Sequence, residues 1–98
     1  MDDDAFEWHE LKRAINLEKH GIDFEDALTI WDGPVATGRA VRGTEERFIS
    51  IGEIEGRIIA VVWTPRGSRR RLISARRART HERDCYAAFL ERGGERPH

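Results

Sequence analysis

Apolar residues early in the chain recur with the period of helices, and those in the middle recur with the period of strands. Phe6-Glu7-Trp8 alternates and reads as an edge strand or as an anchor for the helix beyond it. A helix is expected over His9 to His20, with Leu11, Ala14 and Ile15 on one face and Lys12, Arg13 and Lys19 elsewhere. It stops at Gly21, because glycine takes the left-handed conformation that ends a helix, and Ile22 folds back onto the last turn. Asp23 is a good N-cap for a second helix, with Glu25 and Asp26 in its electropositive first turn. In that helix Phe24, Ala27, Leu28 and Trp31 fall at i, i+3, i+4 and i+7, a stripe that must face a core. Asp32-Gly33-Pro34 terminates it, since proline cannot continue the hydrogen-bond ladder.

Residues 37–46 read as a polar connection, after which the period changes. Arg47 to Ile54 and Arg57 to Thr64 are expected strands joined by a tight turn at Glu55-Gly56. Pro65-Arg66-Gly67-Ser68 is a second turn, and Arg70 to Ala75 a third strand. The middle strand is apolar on both faces, as expected if helices cover one face and larger side chains the other. Thr80 is the expected cap of a C-terminal helix whose Cys85, Tyr86, Phe89 and Leu90 dock on the sheet. The predicted architecture is α+β: two N-terminal helices, an antiparallel meander and a closing helix.

A chain of 98 residues is expected to form one domain, with frayed ends at Met1 to Ala5 and Gly93 to His98. The single cysteine, Cys85, has no partner for an intramolecular disulfide, which fits a reducing compartment. The longest apolar run, Ile58 to Trp63, falls far short of the ~20 residues that cross a bilayer. The N-terminus is acidic where a signal peptide would be basic, so the expected location is cytoplasmic with no membrane partner.

Charge changes the picture more than size does. Residues 1–55 carry a balance of −8 and residues 56–98 a balance of +7, so a formal net charge of −1 hides a bipolar molecule. Between Arg66 and Arg83 stand eight arginines, no lysine and one carboxylate, Glu82, around Leu72-Ile73. Arginine's planar fork of donors matches phosphate oxygens and stays charged at any relevant pH, which points to a phosphate-bearing partner, nucleic acid first. The competing reading is a solvated face that offsets the acidic half.

An ordered set of residues then resembles a known family. Phe6, Trp8, Lys12, Asn16, Lys19-His20-Gly21 and Phe24-Glu25-Asp26-Ala27 are similar to the opening signature of BrnT toxins. Arg47, Ile51-Gly52, Val61-Val62-Trp63-Thr64, Arg71 to Ala78, Glu82-Arg83 and Tyr86 continue it, so that the resemblance covers about residues 6–90. His9 departs from it, standing where the family usually has an acid. The resemblance implies a RelE-like fold and a ribonuclease toxin of a type II system. It also implies neutralisation by a ribbon-helix-helix antitoxin, BrnA, and operator DNA binding only through the complex.

RNA is cut without a metal when a base takes the 2′-OH proton, cations stabilise the charged phosphorane and an acid protonates the leaving oxygen. Arg66, Arg71 and Arg76 are the candidates for the cationic role. Arg66 reads equally as a solvated turn residue, Arg71 as the partner of a carboxylate, and Arg76 as a binder of backbone carbonyls. His20 is the candidate acid or base, because imidazole titrates near neutrality, and it reads equally as a cap on the negative helix end. Glu82 is a candidate base, or else a helix-stabilising partner of a nearby arginine. Lys12, Lys19, Arg70 and Arg77 are candidate RNA contacts. Ser74 reads as a hydrogen bonder rather than a nucleophile. Among the tryptophans, Trp31 belongs to a core stripe, while Trp8 and Trp63 are candidates for base stacking. His81 and Cys85, four apart on one helix, offer two metal ligands where zinc needs three or four, with only His9, His20 and His98 to add; no metal or cofactor is expected. The alternative function, from a different class, is a non-catalytic module that docks nucleic acid or an antitoxin.

Overall fold

The computed structural model describes residues 5–94; residues 1–4 and 95–98, and with them most of the two ends expected to fray and His98, lie outside the described residues. The elements in chain order are β1 (Phe6–Glu7), α1 (Glu10–His20), α2 (Phe24–Ala27), a 3-10 turn (Leu28–Asp32), β2 (Ala36–Arg42), β3 (Glu45–Ile54), β4 (Arg57–Arg66), β5 (Arg69–Arg77) and α3 (Thr80–Glu91). The strands form one sheet in the order β1-β5-β4-β3-β2, antiparallel except for the parallel pair of β1 and β5. The class is α+β, as the periodicity predicts.

Three local expectations change. The polar connection of residues 37–46 is largely strand β2, registered on β3 from Ala36 opposite Ile51 to Arg42 opposite Glu45. An outermost strand has one neighbour and a solvated edge, so its sequence need not be apolar, and charges such as Arg39 there discourage pairing with other chains. The second helix keeps its predicted stripe but tightens to 3-10 after one turn. The cap of α3 is Arg79 rather than Thr80: the Arg79 N–H donates to the Glu82 carboxylate at 2.8 Å, so a side chain of the first turn closes the helix end.

Helix α1 starts and stops where its capping residues dictate. The His9 ring accepts the Leu11 N–H at 3.2 Å through Nδ1, and Gly21, at φ 72°, returns its N–H to the Leu17 carbonyl. The face that it buries is not the apolar one. Leu11 and Ile15 are 63% and 54% exposed, and the buried residue of the helix is Asn16. The Asn16 amide donates to the carbonyls of Ala75 and Ile22, both at 2.9 Å, and accepts the Ala75 N–H at 3.0 Å. A side chain thus completes the ladder on the outer edge of β5, where β1, registered only on Arg70 and Arg71, has already ended. Arg13 then ties α1 to α2 through two hydrogen bonds, of 2.7 and 3.0 Å, to Asp23, the N-cap of α2.

The sheet carries a core on each face. Phe24, Ala27, Leu28 and Ile30 from α2 and the 3-10 turn pack on Ile59, Val61, Trp63, Leu72 and Ala75. The fit is close: a Cβ on Gly52 would sit 2.7 Å from Ile30 Cβ, so glycine is required for the 3-10 turn to rest on β3. On the other face Tyr86 and Ala78 bury Ile51 and Ala60, and the Tyr86 hydroxyl donates to the Pro34 carbonyl at 2.9 Å. Helices therefore cover parts of both faces, which is why β4 is apolar on both. Of the four residues expected to dock α3, Tyr86 is buried and Phe89 partly so, whereas Cys85 is exposed and Leu90 is 41% exposed.

Replacing Asn16 with alanine strands a buried donor and acceptor of β5, each costing ~1–3 kcal/mol. The expected outcome is a loss of ~2–4 kcal/mol in urea unfolding. Leu11→Ala on the same helix should change stability far less, which reverses the order that their hydrophobicity suggests.

Candidate active site

Residues opposite one another on neighbouring strands share a face, so the registers sort the arginine-rich segment by side. Arg70 pairs with Pro65 on the face of Trp63 and Leu72; Arg71, Ser74 and Arg76 pair with Thr64, Val62 and Ala60 on the other. A bulge at Val62/Trp63 leaves Ile73 as an extra residue and keeps Leu72 and Ala75 on one side. On the second face α3 covers only the end around Ile51 and Ala60. The rest is open and bordered by α1.

Two adjoining clefts occupy that opening and share His9, Lys12 and Ile73. The smaller, of about 150 Å³, gathers Lys12, Arg47, Arg66 and Arg71 with His9, Glu45 and Thr64. The larger, of about 460 Å³, runs along α1 past Leu11, Ile15, Lys19 and His20 to Ser74. His9 and His20 are eleven residues apart on one helix, about 16 Å along its axis. The two imidazoles therefore stand at opposite ends of the opening.

At the His9 end the cations differ in their partners. Arg71 donates to Glu7 of β1 at 2.8 Å, and Arg47 to Glu45 at 2.9 and 3.0 Å. Among the described residues neither Lys12 nor Arg66 forms an ion pair. With its Nδ1 occupied as an acceptor by the Leu11 N–H, the neutral His9 ring carries its proton on Nε2 and is set up as a donor. Sequence reasoning passed over His9 as a departure from the family pattern, and passed over Arg47 and Glu45 because only the sheet register brings them beside Arg66 and Arg71. The resemblance to BrnT toxins, which includes Arg47, was the available signal.

At the other end Arg76 and Glu82 are joined by two hydrogen bonds, of 2.7 and 2.9 Å, with side chains only 15% and 13% exposed. The Arg76 hydrogen bond holds the Glu82 carboxyl below its ordinary range, and Glu82 in turn raises Arg76. His20 lies in the field of this arginine. Desolvation first, then Lys19 and Arg76, push its pKa below the ordinary imidazole value, so the ring is neutral at pH 7.

The remaining candidates separate. Arg70 lies over the rings of Trp63, Trp31 and Phe6, at 5.0, 5.5 and 5.7 Å, on the face away from the clefts. Arg77 is exposed and pairs with Ile59 on that same face. Trp63 is packed against Phe48, ring centroids 4.8 Å apart, with its indole N–H on buried Ser50 at 2.8 Å; it cannot stack on a base. Trp8 is half-buried and donates to Glu10. His81 Nε2 and Cys85 Sγ stand 3.8 Å apart in a third cleft between α3 and β2, and among the described residues no third His, Cys, Asp or Glu completes a metal-binding group. No described helix is long and apolar enough to cross a membrane.

The pairing of Glu82 has a pH signature. Its folded pKa is depressed, so the stability it contributes is present above the unfolded value near 4.3 and is lost as pH falls through the folded one. Glu82→Gln should lower stability at pH 7 by an amount on the order of 3 kcal/mol, because Arg76 loses its counter-charge and one of its two acceptor oxygens gives way to an amide N–H₂. Unfolding curves of variant and wild type should converge as the pH is lowered into the acid range.

No curated protein matches the chain. A family model does: ribonuclease toxin, BrnT, of type II toxin-antitoxin system, over residues 8–82. The matched segment runs from Trp8, just ahead of α1, to Glu82 in the first turn of α3, and so takes in every strand after β1 and both borders of the open face. The chain accordingly belongs to the BrnT family of ribonuclease toxins of type II toxin-antitoxin systems.

Proposed function

We propose that this toxin is a metal-independent endoribonuclease and that the scissile phosphate sits at the His9 end of the open face. The observation that carries this is the convergence of Lys12, Arg47, Arg66 and Arg71 in one cleft beside an imidazole and a carboxylate. The four cations stabilise the charge that develops on the phosphorane, and Lys12 and Arg66, without carboxylate partners among the described residues, are available to it at once. The RNA 2′-OH attacks the adjacent phosphorus and the bond to the 5′-oxygen breaks. Glu45 is placed to accept the 2′-OH proton, and His9 Nε2–H to hydrogen-bond the departing oxygen, which takes its proton from water. The upstream product ends in a 2′,3′-cyclic phosphate and the downstream product begins with a 5′-OH.

His20 and Lys19, about 16 Å along α1 from His9, and Ser74 of β5 beside them contact the strand beyond the cut. Arg76 and Glu82 act on one another and hold that end in shape. Arg70 and Arg77, on the opposite face, are left to secondary RNA contacts or to none. The toxin acts in the cytoplasm and is held inactive by a ribbon-helix-helix antitoxin, through which the pair reaches operator DNA.

A competing reading, a docking module without chemistry, draws on the fact that Arg71 and Arg76 both have carboxylate partners. Kinetics distinguish the two. Arg66→Ala and Arg71→Ala should each lower the single-turnover cleavage rate of an RNA oligonucleotide by ~10²–10³-fold with melting temperatures near wild type. His9→Ala should impair the chemical step more than His20→Ala; the reverse order moves the centre to the His20 end. No cleavage by purified wild-type protein on any RNA or ribosome complex would leave the docking module as the better account.

A single 2′-deoxy substitution at a mapped cut site should abolish cleavage there, and excess chelator should not. An undiminished rate on the substituted bond excludes 2′-OH attack.

A further inference from the structure

Helix α1 presents its apolar residues outward, and where they point is specific. Leu11 and Ile15, one turn apart and both more than half exposed, line the larger cleft together with Ile73, the bulge residue of β5. Single exposed apolar side chains are ordinary, but a cleft with three of them aligned is a surface suited to another apolar side chain. The polar residues around them are His9, Lys12, Lys19 and His20, with Asn16 and Ser74; among the described residues no carboxylate lines the cleft. Lys12 and Lys19, the only lysines of the chain, are seven residues apart and so about two turns, or roughly 10 Å, from one another along α1. The cleft is thus a short apolar trough with a lysine toward each end.

We infer that this trough is where the antitoxin docks, by an amphipathic helix that sets one or two branched apolar side chains between Leu11, Ile15 and Ile73 and carboxylates, two turns apart, on Lys12 and Lys19. RNA meets the first half of that description poorly, because a polyanion makes no use of exposed leucine and isoleucine, whereas an acidic amphipathic helix satisfies both the apolar and the basic positions. The lysine spacing matches acidic residues at i and i+7 on the partner. The trough shares His9, Lys12 and Ile73 with the smaller cleft, so a helix seated in it covers the way to Arg66 and Arg71. This consequence, inhibition by occlusion, rests on the ribonuclease site proposed above; the docking itself rests only on the toxin's having a protein antitoxin.

The test uses Leu11→Glu and Ile15→Glu, singly and together, titrated by calorimetry with antitoxin separated from the purified complex. The double variant should bind at least ~100-fold more weakly, as loss of two central apolar contacts implies. Leu17 is 46% exposed on the same helix but does not line the cleft, and Leu17→Glu should stay within about threefold of wild type. Melting temperatures report the fold, and Leu11→Ser with Ile15→Ser replaces the charged pair if that pair unfolds. Wild-type affinity in the double variant, or an equal loss in Leu17→Glu, overturns the inference. Cleavage by the free variants separates it from the ribonuclease reading. Weak antitoxin binding with RNA cleavage intact supports both. Weak binding by a protein that never cuts RNA keeps the docking site and removes the active site. Full binding with cleavage lost removes the docking site and leaves the trough to RNA alone.

Discussion

The outer edge of β5 needs hydrogen-bond partners, and beyond Arg71 the Asn16 amide supplies them. A helix cannot pair with a strand through its own backbone, whose groups are already used, but a primary amide offers a donor and an acceptor side by side and mimics one residue of a neighbouring strand. The exchange fixes α1 against the β5 edge at one point along its length. Because Asn16 must face the sheet, Leu11 and Ile15, lying roughly a third of a turn around the helix, are left toward the open cleft rather than in a core. His9 and Lys12 are thereby carried to the Arg71 end and His20 to the Arg76 end.

A sheet that is apolar on both faces must be covered on both, and each face here is covered differently. The short α2 and its 3-10 turn seal one face completely enough that Phe24, Ile30, Leu72 and Val61 have essentially no exposure. The twelve residues of α3 reach only one end of the other. The exposed remainder is backed by rigid strands, which is how a recognition surface keeps its geometry before a partner arrives.

Strand alternation decides the fate of the arginines. Consecutive residues Arg70 and Arg71 point to opposite faces: one guanidinium spreads over three aromatic rings and the other lines the basic cleft, held by Glu7. Arg76 meets Glu82 because the strand leads directly into α3, and the same carboxylate closes the helix end. The acidic first half and basic second half of the sequence do not become two hemispheres, since Glu7 lies against Arg71 and Arg69, and Lys12 and Arg47 share a cleft with Arg66 and Arg71. What survives as open positive charge is local, and a polyanion responds to local potential rather than to net charge.

The sequence by itself determined the class, the family and the order of the elements apart from β2. Those rest on local physics: the 3.6 and 2.0 periods, glycine at Gly21 and Gly56 where positive φ is needed, Asp23 at a cap, and an ordered set of motif residues. It also pointed to Lys12, Arg66 and Arg71, which do come together. It did not reveal β2, whose edge position removes the need for an apolar pattern, nor the outward turn of Leu11 and Ile15, which depends on an amide bond to a residue 59 positions away. The partnership of Arg76 with Glu82, the sequestration of Arg70 and Trp63, and the arrival of His9, Glu45 and Arg47 in the cleft were likewise decided only by the tertiary structure. Each depends on sheet register and on which face a side chain takes, and a shift of one residue reverses that face without altering any local propensity.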